Sequence, residues 1–512
     1  MIKFISELFS TQLTNLLLVL LLFLFTIKIY YDLTFQYWKK RNVPQVQKPQ
    51  LIFGNVPPKF YDQDCPGCLI KLAYEYGKAQ GFKLIGNFLG LRPFYLLVDL
   101  EHVKNILRKD FNYFVERGFY YNEKDDPLSA NLFSVGGEEW RTLRTKLSQA
   151  FTAGKIKFMF ESLLECAYQM SNEIEKNYIK KQTINMKEIS ECFTIDVIGS
   201  CVFGLQCNSF KNPDAEFRKQ GKKIFHFTIP RALKVFFAFS NVKLARWLGV
   251  TLFDKDTTRF FVSVVEDTLK YRQCNESTRK DFIQLLSDLK GETEKDNNNS
   301  STAIEKLTAQ AFIFFAAGFE TSSITLTFCL YELSVNLDIQ DKVREEIARV
   351  LSDYEEITYD VIMDMKYLNQ VVEETLRKYP PVSFLTRECV KDYNVPNTNL
   401  VIEEGILTVI SVLGIHHDPE YYPEPETFDP ERFSDTNRPL IRPFAYMPFG
   451  EGPRICVGLR FGLMQVKVGL VVLLKDYKFV LNKKTQVPLE MEPLSFTLTP
   501  KNGIFVDIEK VA

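Results

Sequence analysis

The run Phe449-Gly450-Glu451-Gly452-Pro453-Arg454-Ile455-Cys456-Val457-Gly458 constrains this chain more than any other ten residues. Glycines let the backbone turn tightly and pass close to a flat ligand, and Arg454 carries a permanent charge suited to a carboxylate. A helical pattern follows from about Leu459 to Leu474, so the Cys456 sulfur is expected at a helix N-terminus, where the dipole favours thiolate over thiol. Thiolate is the form that binds metal. A lone cysteine is most often buried and inert, and it is the surrounding decapeptide that argues for a metal-binding role.

Phe449, Gly452, Arg454, Cys456 and Gly458 match in type and spacing the haem-binding loop of the cytochrome P450 superfamily, which the chain resembles. Upstream motifs carry the resemblance further. Glu374-Thr375-Leu376-Arg377 places an acid and a guanidinium at i and i+3 on one helical face, and Pro380-Pro381 stops that helix. Alone, such a pair is usually a solvated surface contact. With Pro430-Glu431-Arg432-Phe433 lying between it and the Cys loop, the resemblance implies a buried network of Glu374, Arg377 and Arg432 that supports the loop structurally.

The stretch Leu307 to Tyr331 has Glu320 as its one charge and contains Ala316-Ala317-Gly318-Phe319-Glu320-Thr321. Its length and apolarity are those of a membrane span. A mid-span acid is costly in lipid, however, and a helix buried in a large domain fits better. By resemblance, Gly318 allows a local helix distortion and Glu320 and Thr321 relay protons during oxygen activation. Trp140 and Arg144, at i and i+4 in Glu138-Glu139-Trp140-Arg141-Thr142-Leu143-Arg144, look like the propionate-binding pair of the C helix in microsomal members. Arg117 and Arg387 match further propionate positions. Phe119, Tyr120, Phe312, Phe315, Val382, Phe384 and Phe496 are implied to line a lipophilic pocket, the alternative for each being ordinary core packing.

Two other motifs have plainer readings. Cys65-Pro66-Gly67-Cys68 has no second CxxC and no βαβ context, so it reads as a turn opening the helix toward Tyr76. His416 and His417 are adjacent and point in different directions, which favours packing over metal binding. Ten cysteines scattered over 512 residues suggest a reducing compartment, and a net charge of -1 argues against a nucleic-acid partner.

Residues 13–31 are largely apolar and long enough to cross about 30 Å of hydrocarbon. Trp38-Lys39-Lys40-Arg41 follows, which predicts a signal anchor whose basic flank stays cytoplasmic, with Trp38 at the interface. The expected organisation is a short tail (1–12), a transmembrane signal anchor (13–31), a basic, proline-containing stiff linker (32–58) and a catalytic domain (59–512). The polar run 291–302 reads as a loop, and sequons at 275–277, 298–300 and 299–301 would face the cytosol unglycosylated. Residues 222–253, rich in Phe, Trp and basic side chains, read as core and helix surface or, by resemblance, as a segment dipping into the bilayer.

The fold class implied is mainly α: a cytochrome P450 fold, with a helix-rich domain, a smaller β-rich region and one N-terminal transmembrane helix. The activity implied is a haem-thiolate monooxygenase of the microsomal, membrane-anchored type, closest to the xenobiotic-metabolising branch. Its cofactor is haem b (iron protoporphyrin IX) with Cys456 as axial ligand. It would insert one atom of dioxygen into a lipophilic substrate, at the endoplasmic reticulum membrane with the catalytic domain facing the cytosol. The short segment after Cys456 leads to the expectation of a separate electron donor, NADPH-cytochrome P450 reductase, with cytochrome b5 as an optional second one. A haem-thiolate isomerase or lyase acting on a peroxide, and a non-enzymatic haem-binding membrane protein, stay open beside it, although Glu320-Thr321 argues against the first.

Overall fold

The computed structural model describes residues 2–57, 64–275, 282–284, 300–354 and 356–511. The expected 58/59 domain boundary lies outside them. So, wholly or in part, do the polar run 291–302 and the three sequons.

Helix α1 (Ile2–Phe35) runs past the expected 13–31 span at both ends, and its most apolar window is 0% buried. At 1.5 Å per residue it is about 50 Å long, more than a hydrocarbon core requires. Trp38, expected at a membrane interface, is instead fully buried in the domain. Its Nε1–H donates to the Asn87 carbonyl at 3.0 Å, its ring meets Tyr95 at 4.5 Å, and a Cβ on Gly86 would stand 2.3 Å from it. An indole that satisfies its N–H while covering that much apolar area gains more inside than at an interface. The following residues are likewise packed on the domain, through bridges from Gln45 to Gly86 and from Gly54 to Leu89.

Helix α2 (Pro66–Ala79) leads to a four-stranded sheet of β1 (Leu84–Leu89), β2 (Arg92–Leu97), β3 (Phe384–Glu388) and β4 (Leu407–Ser411), in the order β1-β2-β4-β3. β4 lies parallel to β2 (Tyr95 opposite Thr408) and antiparallel to β3 (Arg387 opposite Thr408). In a smaller sheet β6 (Phe505–Lys510) is central, pairing antiparallel with β5 (Tyr477–Leu481) on one side and with Ile184–Asn185 on the other.

The helical part holds α3 (Gly137–Ser148), α4 (Ala153–Ile179), α5 (Met186–Ile198), α6 (Ser300–Val335), α7 (Lys366–Lys378) and α8 (Leu459–Asp476). α6 packs on α5, α7 and α8. With 78% of its most apolar window buried, it is a core helix and not a second span. It stays α-helical through Gly318, where distortion was expected. That glycine has a packing reason instead, since a Cβ there would lie 2.5 Å from Ile198 Cδ1 of α5.

Candidate active site

The Cys456 loop is shaped by two glycines in the left-handed region, Gly450 (φ 73°) and Gly452 (φ 74°), which side chains disfavour. Gly452 also fits against the backbone of residues 105–109, where a Cβ would sit 1.9 Å from the Leu107 carbonyl oxygen. The Cys456 N–H donates to the Phe449 carbonyl at 2.9 Å, closing the loop, and Phe449 packs half-buried on the helical core. α8 starts three residues later.

Cys456 is reachable by solvent although its sulfur lies deep among protein atoms. Depth pushes its thiol pKa up, while the Gly458 N–H and the charges of Arg144 and Arg117 pull it down. Burial wins, so the net shift is upward and the free sulfur is a thiol; a metal bound there would be what displaces its proton.

Four guanidiniums gather near the loop. Arg454, buried, lies 4.0 Å over the Trp140 ring and donates to the carbonyls of Val115 (2.9 Å) and Val135 (2.8 Å). Arg117 donates to the carbonyls of Phe133 (3.0 Å) and Arg454 (3.2 Å). Arg387 donates to the Thr386 carbonyl, and its buried Nε has no partner. Arg144 stands half-buried with its charge near Cys456. Desolvation, and then their mutual repulsion, lower the pKa of Arg454 to about 8, of Arg387 to about 9 and of Arg117, by desolvation, to about 10. Among the described residues none of the four forms an ion pair with a carboxylate. Glu116 acts on Arg454 without pairing with it, and guanidiniums held together with so little counter-charge form a binding site for an anion, which a bidentate carboxylate matches best. Thiolate, glycine loop and anion-seeking arginines fit a flat metal-bearing group with carboxylate arms.

Behind the loop, Glu374, 0% exposed, accepts from Arg377 Nε at 2.7 Å and Nη2 at 2.8 Å, and approaches Arg432 Nε at 3.5 Å. The Arg377 Nη1 donates to the His416 carbonyl at 2.9 Å. His416 is held neutral: its Nδ1 donates to the Arg377 carbonyl at 3.0 Å and its Nε2 accepts the Met447 N–H at 2.9 Å. Burial and the Arg377 charge lower its pKa to about 3. Because the Gly450 N–H donates to the Met447 carbonyl, the network reaches the Cys loop through His416, which assigns that histidine the packing role expected of it.

On α6, Glu320 and Thr321 diverge. The Glu320 carboxyl is buried near Thr499, with Lys187 and Glu191 around it, and burial raises its pKa to about 7. The Thr321 hydroxyl donates to the Ala317 carbonyl at 2.7 Å. Of the pocket candidates, Phe119, Phe384 and Phe496 converge, with Phe496 5.6 Å from Phe384 and 6.0 Å from Phe119. Val382 is half-buried on the same segment as Phe384. Phe133 and Phe239 complete this aromatic wall, each about one ring contact from Phe119 (5.0 and 5.2 Å). Isolated phenylalanines among 44 gave no sequence signal for them. Tyr120, Phe312 and Phe315 are corrections. Tyr120 is buried and donates to the Val250 carbonyl, while Phe312 and Phe315 pack on Phe261 in the core.

The family model for cytochrome P450 matches residues 44–506. The chain belongs to the cytochrome P450 family. It is 42% identical over 494 residues to the probable cytochrome P450 6a14 of Drosophila melanogaster, covering 93% of this chain and 96% of that protein. It is 41% identical to cytochrome P450 6A1 of Musca domestica (93% and 94% covered) and 40% identical to cytochrome P450 6k1 of Blattella germanica (93% and 93%). The protein is therefore a P450 monooxygenase of the haem-thiolate class, with haem iron as its cofactor. The family works with a redox partner on lipophilic substrates. The exposed apolar α1 is consistent with the membrane anchor of microsomal P450s.

Proposed function

We propose that this P450 is a membrane-anchored monooxygenase of lipophilic foreign compounds, using haem b and electrons from NADPH-cytochrome P450 reductase, with cytochrome b5 as an optional second donor. The observation that carries the reading is the Cys456 sulfur presented on a glycine-shaped loop beside four guanidiniums that, among the described residues, form no ion pair with a carboxylate. Haem with an axial thiolate supplies activation of dioxygen and transfer of one oxygen atom into a C–H bond, the other atom leaving as water.

Cys456 would hold the haem iron through its sulfur, with Phe449 packed beside the loop. Arg454, Arg117, Arg387, Arg144 and Trp140 would hold the haem carboxylates. Glu374, Arg377 and Arg432 keep the loop in place through His416. With a pKa of about 7, Glu320 both gives and takes a proton near neutrality, the property a proton relay needs. Thr321, the next residue of α6, turns away from the Glu320 carboxyl, so its part in the relay needs a bridging water between the two. Phe119, Phe384 and Phe496 form a dry wall that positions an apolar substrate and excludes water.

For placement, Arg41 pairs with Glu403 at 2.5 Å and Tyr37 donates to the same carboxylate at 2.7 Å, so the basic flank of α1 is tied to the domain. A cytosolic basic flank puts the catalytic domain in the cytosol, at the endoplasmic reticulum membrane. Exposed Leu233, Leu244, Trp247 and Leu248 support contact of the 222–253 region with lipid. The test is NADPH consumption with added reductase and a panel of lipophilic compounds. Oxygenated product with reductase supports the proposal. A spectrally intact protein that rearranges a hydroperoxide and gives no oxygenated product with reductase and NADPH contradicts it.

A further inference from the structure

The site described leaves one nucleophilic pair unused. Cys65 caps α2, and its sulfur accepts the Cys68 backbone N–H at 3.3 Å. One turn brings the second sulfur back over the helix start, so the two Sγ atoms stand 2.7 Å apart as free thiols. Gly67, helical itself, lets this helix start pack close against Ser383, because a Cβ there would meet Ser383 Oγ at 1.9 Å. Exposure is divided: Cys65 is 1% exposed and packs with Leu413 and Leu498, whereas Cys68 is half-buried. The Cys68 S–H bond and the helix N–H groups lower the Cys65 pKa, and the shared proton raises that of Cys68.

We propose that Cys65 and Cys68 form a redox-active dithiol that a hydroperoxide converts reversibly to an intramolecular disulfide. One proton leaves the pair to solvent and the other is shared across the short contact; in the moments when it sits on Cys65, the Cys68 thiolate, the sulfur that solvent reaches, attacks the peroxide oxygen. The O–O bond breaks, an alcohol leaves after taking a proton, and Cys68 becomes a sulfenic acid. Cys65, returned to thiolate, attacks that sulfur. The S–S bond forms, the S–O bond breaks and hydroxide leaves, becoming water with the proton that the pair first gave to solvent. Two electrons pass from the two sulfurs to the peroxide, and an external dithiol reverses the change. Such transient pairs are the kind found in reducing compartments.

The pair also touches the pocket wall. The Leu413 N–H donates to the Ser383 carbonyl at 2.9 Å, next to Phe384, and the Leu498 N–H donates to the Pro381 carbonyl at 3.0 Å, two residues beyond Phe496. Closing the disulfide shifts Cys65 against Leu413 and Leu498 and so alters substrate affinity. This consequence rests on the pocket reading proposed above, while the oxidation itself does not.

The test uses the full chain, titrated with hydrogen peroxide, blocked with an alkylating reagent and cut with trypsin. Both sulfurs fall in the peptide 60–71, and the exposed lone Cys274 in 273–279 is an internal reference. Expected is the loss of two hydrogens from 60–71 before Cys274 is modified, regained on treatment with a dithiol reductant. In Cys65→Ser that loss disappears and a Cys68 sulfenic acid is trapped by dimedone. Oxidation of Cys274 first, with both thiols of 60–71 still alkylated, overturns the proposal. Haem spectral titration with a lipophilic probe then reads the pocket, with Kd expected to differ about threefold or more between the two redox states in the wild type and not in Cys68→Ser. An equal Kd overturns the coupling alone. No spectral response in either state counts against the pocket reading and leaves the disulfide result standing.

Discussion

Glu374→Gln tests how the network behind the loop is held. The substitution preserves shape and removes one charge at a position with 0% exposure. It leaves the 0%-exposed Arg377 guanidinium without its anion and turns an amide NH2 toward donors, including the Asp429 N–H that now bonds Glu374 at 3.0 Å. Removing one partner of a buried pair costs about 3–5 kcal/mol. Unfolding entropy of about 2 cal/mol/K per residue makes roughly 1 kcal/mol/K for a chain of this size, so Tm falls by roughly 3–5 °C. Differential scanning calorimetry reads this directly. Lys366→Met breaks the exposed Lys366–Asp435 pair and is expected to leave Tm unchanged. Because Arg377 reaches Met447 through His416, Glu374→Gln also releases haem faster at temperatures below Tm. A variant with wild-type Tm and haem retention would refute the argument that burial makes this pair structural.

Three further outcomes follow from the geometry. Gly452→Ala brings a methyl within 1.9 Å of the Leu107 oxygen at φ 74°, so the loop must move; haem content on purification is expected to drop to a small fraction of wild type while far-UV circular dichroism stays helical. The Glu320 pKa is raised, so the folded state binds the extra proton and stability falls as pH rises from about 4.5 to about 7. Glu320→Gln abolishes that slope, worth about 3 kcal/mol across the window in urea unfolding at a series of pH values, and slows turnover by slowing proton delivery. His416 has a depressed pKa, so its contribution is present above the unfolded value near 6.5 and is lost as pH falls toward about 3. Acid destabilisation of about 5 kcal/mol over that range is expected to flatten in His416→Asn.

The parts of this account that were legible in the sequence are those where one short segment carries the chemistry. The Cys456 loop, and Glu374 with Arg377, are built within a few residues, so their spacing shows in the chain, whereas Trp140 meets Arg454 of the distant loop. The helical pattern likewise placed α8, and the one acid in a long apolar stretch pointed to a buried α6. What the chain concealed depends on long-range packing. The reason for Gly318 lies on α5, Trp38 is drawn inward by Gly86 and Asn87, and Phe312 and Phe315 turn toward Phe261 on a separate helix. The Cys65–Cys68 contact was hidden differently. Its helix start was legible, but the side-chain approach of the two sulfurs was not, nor was the packing of that helix start against Ser383, some 300 residues away.

The central claim is that Cys456 binds haem iron as thiolate. It is tested most directly by the difference spectrum of the reduced, carbon-monoxide-bound full chain beside Cys456→Ala. Thiolate ligation moves the Soret band far to the red of histidine-ligated haem, and the account predicts that band in the wild type and its absence in the variant. A folded, haem-loaded wild type lacking the band, or a variant that keeps it, would contradict the account.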